Sequence, residues 1–144
     1  MKRGGLVLVS VGLVVAATAW GLSASDGVFS AAQAERGKNY YAGACASCHG
    51  RELDGGHIYG SRTRSAPGLR GDAFLSKWTG LTAGELFTRI STSMPLDHPG
   101  SLSDEENTDV VSFILLSNGF PTGARELPAD VAVMNTIQID AKKK

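Results

Sequence analysis

The stretch that decides the reading is Cys45-Ala46-Ser47-Cys48-His49. It has the C-x-x-C-H form of a covalent haem attachment sequence. The spacing has a physical reason. Two thioether bonds must reach the two vinyl groups of one porphyrin, while the adjacent His49 presents its imidazole to the iron from the same side. A helix leading into Cys45 and a turn at Ala46-Ser47 meet both demands. Three other readings compete. A redox dithiol of thioredoxin type sits in a βαβ pattern, which this sequence lacks. A zinc site needs a second ligand pair at matching spacing, and none exists. A structural disulfide leaves His49 without a role. The sequence therefore predicts one covalently bound haem c, held by Cys45 and Cys48 and ligated by His49.

Outward from the motif, three helices are expected. The first runs from about Glu35 to Ala44 into Cys45, with Gly37 and Tyr41 four apart on one face. The second begins at Thr82, where Thr82 and Glu85 form a capping box ahead of Ala83, Leu86, Phe87 and Ile90. Pro95 should stop it near Ser91. The third starts from a Ser103/Glu106 capping box, with Asp104, Glu105 and Glu106 at the positive end of the helix dipole. Val110, Phe113 and Ile114 repeat at helical spacing, and Asn118-Gly119 supplies the stop. Gly50 to Gly80 reads as a long glycine-rich loop without strand alternation. Such a loop is reasonable only if it wraps something large. The expected fold class is all-α: three main helices and long loops around one haem.

The chain has 144 residues, of which 42% are hydrophobic, and this fits one ordinary globular domain. Fourteen Lys and Arg offset fourteen Asp and Glu, which argues against a nucleic-acid partner. Two cysteines cannot make a disulfide-dense scaffold. Residues 1–34 read as a leader. Lys2 and Arg3 form a positive head, an apolar stretch runs from Gly4 to about Trp20, and Ala32-Gln33-Ala34 forms an A-x-A exit. This is the pattern of a secretory signal peptide, cut after Ala34 or after Ala24, with a retained anchor as the alternative. The apolar run is shorter than the ~20 residues of a confident membrane span. The expected organisation is a leader over 1–34, a haem domain over 35–120 and a C-terminal extension over 121–144. The expected compartment is the periplasm, with membrane contact only if the leader is retained.

Several side chains are candidates for the rest of the site. After the leader, Met94 and Met134 are the thioethers available as sixth ligand. Met94 sits in Ser93-Met94-Pro95, on a loop just after a helix. Sulfur is a soft ligand suited to haem iron, although a methionine is also ordinary core filler. His57 and His98 are rival second imidazoles. Pro67-Gly68-Leu69 could offer a carbonyl to His49 Nδ1, or be an ordinary turn. Arg62, Arg64 and Arg70 could pair with haem propionates or be solvated loop charges. Trp78 could pack on the haem, donate to a propionate, or be core.

With these residues in place, about Glu35 to Gly119 resembles a class I cytochrome c. Gly37 and Tyr41 match the glycine and aromatic that cross the family's C-terminal helix, and Val110 and Phe113 match the opposing face. Pro67 and Leu69 match the proline and leucine flanking the proximal histidine, and Met94 matches the distal ligand. Ser93-Met94-Pro95 through Ser103, with Asn118-Gly119-Phe120-Pro121, is similar to small bacterial cytochromes that work beside quinoprotein dehydrogenases carrying pyrroloquinoline quinone. The resemblance implies an electron carrier rather than an enzyme, cycling Fe(III)/Fe(II). It would take electrons from a dehydrogenase and pass them to a terminal oxidase or another cytochrome. Two alternatives stand beside it: a haem enzyme or gas sensor with an open distal position, and an electron-transfer subunit of a dehydrogenase complex. The Gly50–Ala66 loop and the tail after Pro121 depart from the pattern.

Overall fold

A computed structural model describes residues 21–58 and 65–140. In chain order the elements are β1 (Leu22–Ser23), a 3-10 turn (Ala24–Asp26), α1 (Ala31–Ala44), α2 (Ala46–His49), β2 (Gly56–His57) and β3 (Ser65–Ala66). They continue with α3 (Asp72–Trp78), α4 (Ala83–Ser93), α5 (Asp104–Ser117), α6 (Val131–Met134) and β4 (Ile137–Gln138). The protein is mainly helical, as expected. The strands are two residues long and form two separate pairs, β1 parallel to β4 and β2 antiparallel to β3.

The local code places the longest helices well. Both expected capping boxes form. Thr82 and Glu85 cap α4 reciprocally, and Ser103 and Glu106 do the same for α5. α4 runs on to Ser93, two residues past the expected stop, and Met94 then takes the extended backbone that a residue before proline prefers. α5 closes on Gly119, whose φ of 77° a residue with a Cβ would resist. Gly119 N–H donates to the Leu116 carbonyl at 2.7 Å and Phe120 N–H to the Leu115 carbonyl at 3.1 Å. That pair of bonds is a Schellman stop.

α1 and α5 make the most extensive helix contact. Gly37 allows it, because a Cβ there would overlap the backbone carbonyl of Asp109. One turn on, the Tyr41 and Phe113 rings meet with centroids 5.3 Å apart. Beneath them Val110, Val111, Ile114 and Leu115 are buried with Leu86, Phe74 and Phe120. At the edge of this crossing, Arg36 forks onto Asp109 at 2.8 and 3.0 Å and also reaches Glu126.

Three expectations change. The loop from Gly50 to Gly80 contains the β2–β3 pair and helix α3. α3 begins at Gly71 in a positive-φ conformation and has no side-chain cap, so it carries no start signal of the usual kind. Second, α1 begins at Ala31, capped by the Ser30 hydroxyl, and Gln33 and Ala34 are buried in it. The expected boundary at residue 34 thus falls inside a helix. Ahead of it, Ala24 and Phe29 are wholly enclosed. Third, the segment after residue 120 belongs to the same core. Leu127, Met134, Ile137 and Ile139 are buried in it.

The two ends of the described chain hold each other. β1 pairs with β4, and Ser25 Oγ donates to the Asp140 carboxylate at 2.8 and 2.9 Å. Gln33 exchanges two bonds with the Leu127 backbone, at 2.8 and 2.9 Å. Gly123 lies so close to Gly27 that a Cβ on it would overlap the Gly27 carbonyl. The tail also grips α4: Ile139 N–H donates to Leu81 O at 2.8 Å, and Gly84 packs directly on Asn135. Residues 1–20, Arg62, Arg64 and the lysine tail lie outside the described residues.

Candidate haem-binding site

The site is built where α1 hands over to α2. Cys45 is the C-cap of α1, its N–H donating to Tyr41 O at 2.9 Å, and it serves as N-cap of α2. One tight turn then carries Ala46, Ser47 and Cys48 to His49, whose N–H donates back to Cys45 O at 2.9 Å. Both cysteines are free thiols, partly exposed. Burial, and then the neighbouring Cys48, push the Cys45 thiol up to about 11, so it stays protonated at neutral pH.

The structure fixes the tautomer of His49. Its Nδ1 lies 2.9 Å from the Pro67 carbonyl, and the ring is 9% exposed. A carbonyl can only accept, so Nδ1 carries a proton, and in the neutral ring the lone pair is then on Nε2, where a metal could take it. The carbonyl is delivered by a loop that approaches closely. Gly55, at a φ of 81°, lies against Ala66, Pro67 and Gly68, and an added Cβ would come within 2.7 Å of Gly68 N. Gly55 N–H donates to His49 O at 2.8 Å, and Leu69 N–H donates to Leu53 O at 2.7 Å. Tyr41 completes the support. Its hydroxyl donates to Gly50 O at 2.7 Å, and burial foremost holds its pKa above the ordinary phenol value, so it remains a donor.

His49, Cys45 and Cys48 line a cavity of about 1200 Å³. Ordinary small-molecule pockets are ~300–1000 Å³, so this space suits a group larger than most substrates. Met94, Pro67, Leu69 and Trp78 line the same cavity, with apolar walls from Leu86, Ile90, Val110 and Ile114. The residues fit a haem: two thiols, one imidazole with a free lone pair, one thioether and an apolar enclosure. Trp78 is both wall and core. It is 7% exposed and stacks on Phe74 with centroids 6.2 Å apart.

The other candidates separate. Met134 is fully buried in α6 and does not line the cavity. His57 lies exposed on β2, away from the lining. His98 does line the cavity, yet its side chain is 79% exposed, with Nδ1 3.5 Å from Asp97. Arg70 pairs with Glu52 at 3.7 Å and does not face the cavity. Sequence reading missed the cations that do, Lys77 and Arg89. Their signal was available only in part: Arg89 falls one residue before Ile90 on the expected helix, and Lys77 sits on the unforeseen α3. Among the described residues, no group of three or more His, Cys, Asp or Glu could hold a bare metal ion.

A family model described as "Cytochrome C oxidase, cbb3-type, subunit III" matches residues 32–114, more than half of the chain. Among solved structures, a chain of the sulfane dehydrogenase SoxCD from Paracoccus pantotrophus is similar at 21% identity and a TM-score of 0.43. The match covers 81% of this chain and 60% of that one. A comparison with curated proteins yields no match. The chain belongs to the cytochrome c oxidase, cbb3-type, subunit III family, and is a class I c-type cytochrome whose chemistry is electron transfer through haem.

Proposed function

We propose that this protein is an exported mono-haem electron carrier. One haem c is attached through Cys45 and Cys48, with His49 Nε2 and Met94 sulfur as the axial ligands. The observation that carries this reading is one apolar cavity lined by both thiols, the His49 ring in its Nδ1–H tautomer, and Met94. When bound, the haem supplies one-electron Fe(III)/Fe(II) chemistry. The chain's own residues do the rest. Pro67 O holds the His49 proton at Nδ1, Leu86, Ile90, Val110 and Ile114 would keep water from a bound haem, and Lys77 and Arg89, which line the cavity, could pair with its propionates.

With His49 and Met94 both bound, a haem iron here would keep no open site for substrate or gas. Absorption spectra of purified protein test this. A weak band at the red end, typical of Fe(III)–thioether ligation, is expected in the wild type and should vanish in Met94→Ala. A high-spin ferric spectrum in the wild type would sink the two-ligand assignment and favour a haem enzyme or gas sensor.

Electrons would come from a dehydrogenase, with a quinoprotein carrying pyrroloquinoline quinone as the named candidate, and leave to a terminal oxidase or another cytochrome. The family's own description, an oxidase subunit, favours a second form of the same reading: a subunit held in a redox complex rather than a free shuttle. Co-purification with an oxidase or a dehydrogenase at moderate salt separates the two forms.

Export follows from the positive head and apolar run of the leader. A cut after Ala34 would remove Phe29 and Gln33 from the fold, so we place the cut further upstream. Ala17-Thr18-Ala19 is a second A-x-A sequence, three residues ahead of β1, and a cut there makes Trp20 the first residue. Intact mass of protein recovered from the periplasm reads both the haem increment and this terminus. A chain beginning at Glu35 would refute the upstream cut, and an uncut chain would identify the leader as an anchor.

A further inference from the structure

α5 ends on Asn118, and that side chain is 4% exposed. It makes three hydrogen bonds, all to backbone. Nδ2 donates to Ile114 O and to Leu69 O, each at 2.9 Å, while Oδ1 accepts from Gly71 N–H at 2.9 Å. Only one orientation of the amide satisfies two carbonyls and one N–H, so the side chain is locked. The Ile114 bond is local. The other two reach back 49 and 47 residues, to the loop that carries Pro67.

Stopping the helix does not require this side chain. The turn out of α5 is made by Gly119 in its left-handed conformation, and Asn118 itself has an ordinary φ of −92°. What asparagine adds is a donor and an acceptor on one short stem, spaced to take hold of Leu69 and Gly71 together. Aspartate lacks the donor, and a serine has one oxygen where two atoms are needed.

We propose that Asn118 is a positioning residue for the iron's axial imidazole. It clamps Leu69–Gly71 to the end of α5, and so sets the Pro67 carbonyl, two residues before Leu69, against His49 Nδ1–H. The path is continuous: Asn118 to Leu69 O, along the backbone to Pro67 O, then 2.9 Å to His49. A well-placed Nδ1–H bond fixes ring orientation and raises the basicity of the ligating nitrogen. Asn118 thereby acts on the haem from a helix end that does not line the cavity. The inference rests on His49 being an axial ligand.

The test uses holoprotein of the wild type, Asn118→Ala, Asn118→Asp and, as a control, Ser112→Ala. Ser112 is equally buried on α5, but its hydroxyl bonds only to Thr108 O within its own helix. Exchange of the His49 Nδ1 proton is followed by NMR in the reduced state, together with the reduction potential and the melting temperature. In Asn118→Ala exchange should be about tenfold faster, the equivalent of one hydrogen bond lost, and the potential should rise. Ser112→Ala should lower the melting temperature and leave exchange and potential unchanged. The proposal is overturned if Asn118→Ala loses stability while exchange and potential stay at wild-type values. Should Asn118→Ala yield no holoprotein, Asn118→Asp keeps the acceptor for Gly71 and loses the donor to Leu69. Faster exchange there supports the clamp, and wild-type exchange refutes it. If the wild type itself shows no ligated-histidine Nδ1–H signal, the axial reading fails before any variant is compared, and the clamp falls with it.

Discussion

The two residues proposed to hold the iron are supported in very different ways. His49 stands on a one-turn helix between two fixed points. Its backbone is bonded to Cys45 and Gly55, and its ring to Pro67. Around it, Tyr41, Gly55 and Asn118 each hold the neighbouring chain through a specific hydrogen bond. Met94 has the N–H bond to Ile90 O that closes α4, at 3.0 Å, and its carbonyl accepts from Gly100 N–H at 3.4 Å. Beyond it the loop turns on local bonds, His98 N–H donating to Pro95 O at 3.0 Å, and faces solvent: Leu96 is 50% exposed, and the Asp97 and His98 side chains more so. The Met94 side is thus bonded only to nearby residues, and its longer-range support is the packing of the tail on α4. The histidine side is cross-linked by hydrogen bonds to residues far along the chain, while the methionine side, bonded locally, depends on the stability of the rest of the fold. Loops and segments with few buried contacts open at lower free energy than bonded cores.

The largest break comes on the histidine side. Cys48→Ala removes one thioether, and His49→Ala removes the fixed ligand. Both should leave little protein with covalent haem, and intact mass reads this directly. Met94→Ala should keep the haem attached and lose only the thioether band, so the two sides separate in one pair of measurements.

A core substitution remote from the cavity sharpens the contrast. Met134 is fully buried in α6, which packs on α4. Met134→Ala should cost about 2–5 kcal/mol, the usual range for emptying such a site. In a denaturant titration the thioether band should disappear at lower concentration than in the wild type, before the histidine-ligated haem signal changes. Simultaneous loss of both signals would mean the two sides open as one unit.

The smallest effect is a pH dependence at the clasp between the chain ends. Burial works to raise the Asp140 pKa, but hydrogen bonds from Ser23 and Ser25 outweigh it and hold the carboxyl below its ordinary value. A lowered folded pKa means that the stabilisation is present above the unfolded value, ~3.9, and is lost as pH falls through the folded one. The melting temperature should therefore fall more steeply below about pH 4 in the wild type than in Asp140→Asn. Parallel curves would remove Asp140 from the clasp.

Much of the architecture was legible where the code is local. Thr82/Glu85 and Ser103/Glu106 cap their helices because a reciprocal cap needs only residues three apart, whatever lies elsewhere in the chain. The attachment motif is equally compact, and Gly37, Tyr41 and Phe113 meet as the resemblance implied. α3 was missed because it starts from a glycine with no capping side chain. The packing of residues 22–34 was not legible because small and apolar residues look the same in an export signal and in a packed strap. Lys77 and Arg89 went unnamed beside Arg62, Arg64 and Arg70 because nearness to Pro67 in sequence says nothing about which way a side chain faces.

The sequence by itself determined the C-x-x-C-H motif, the family it points to and the helices that flank it. Each is written in residues a turn or less apart, where geometry follows from the covalent chain. Only the tertiary structure decided that the two chain ends close on each other and that Asn118 reaches back to the Pro67 loop. The same holds for the cations that face the cavity. Those contacts join residues dozens of positions apart, through single hydrogen bonds and buried side chains that leave no periodic trace in the sequence. Haem chemistry could be read from five consecutive residues. The support that orients it is spread over the whole fold.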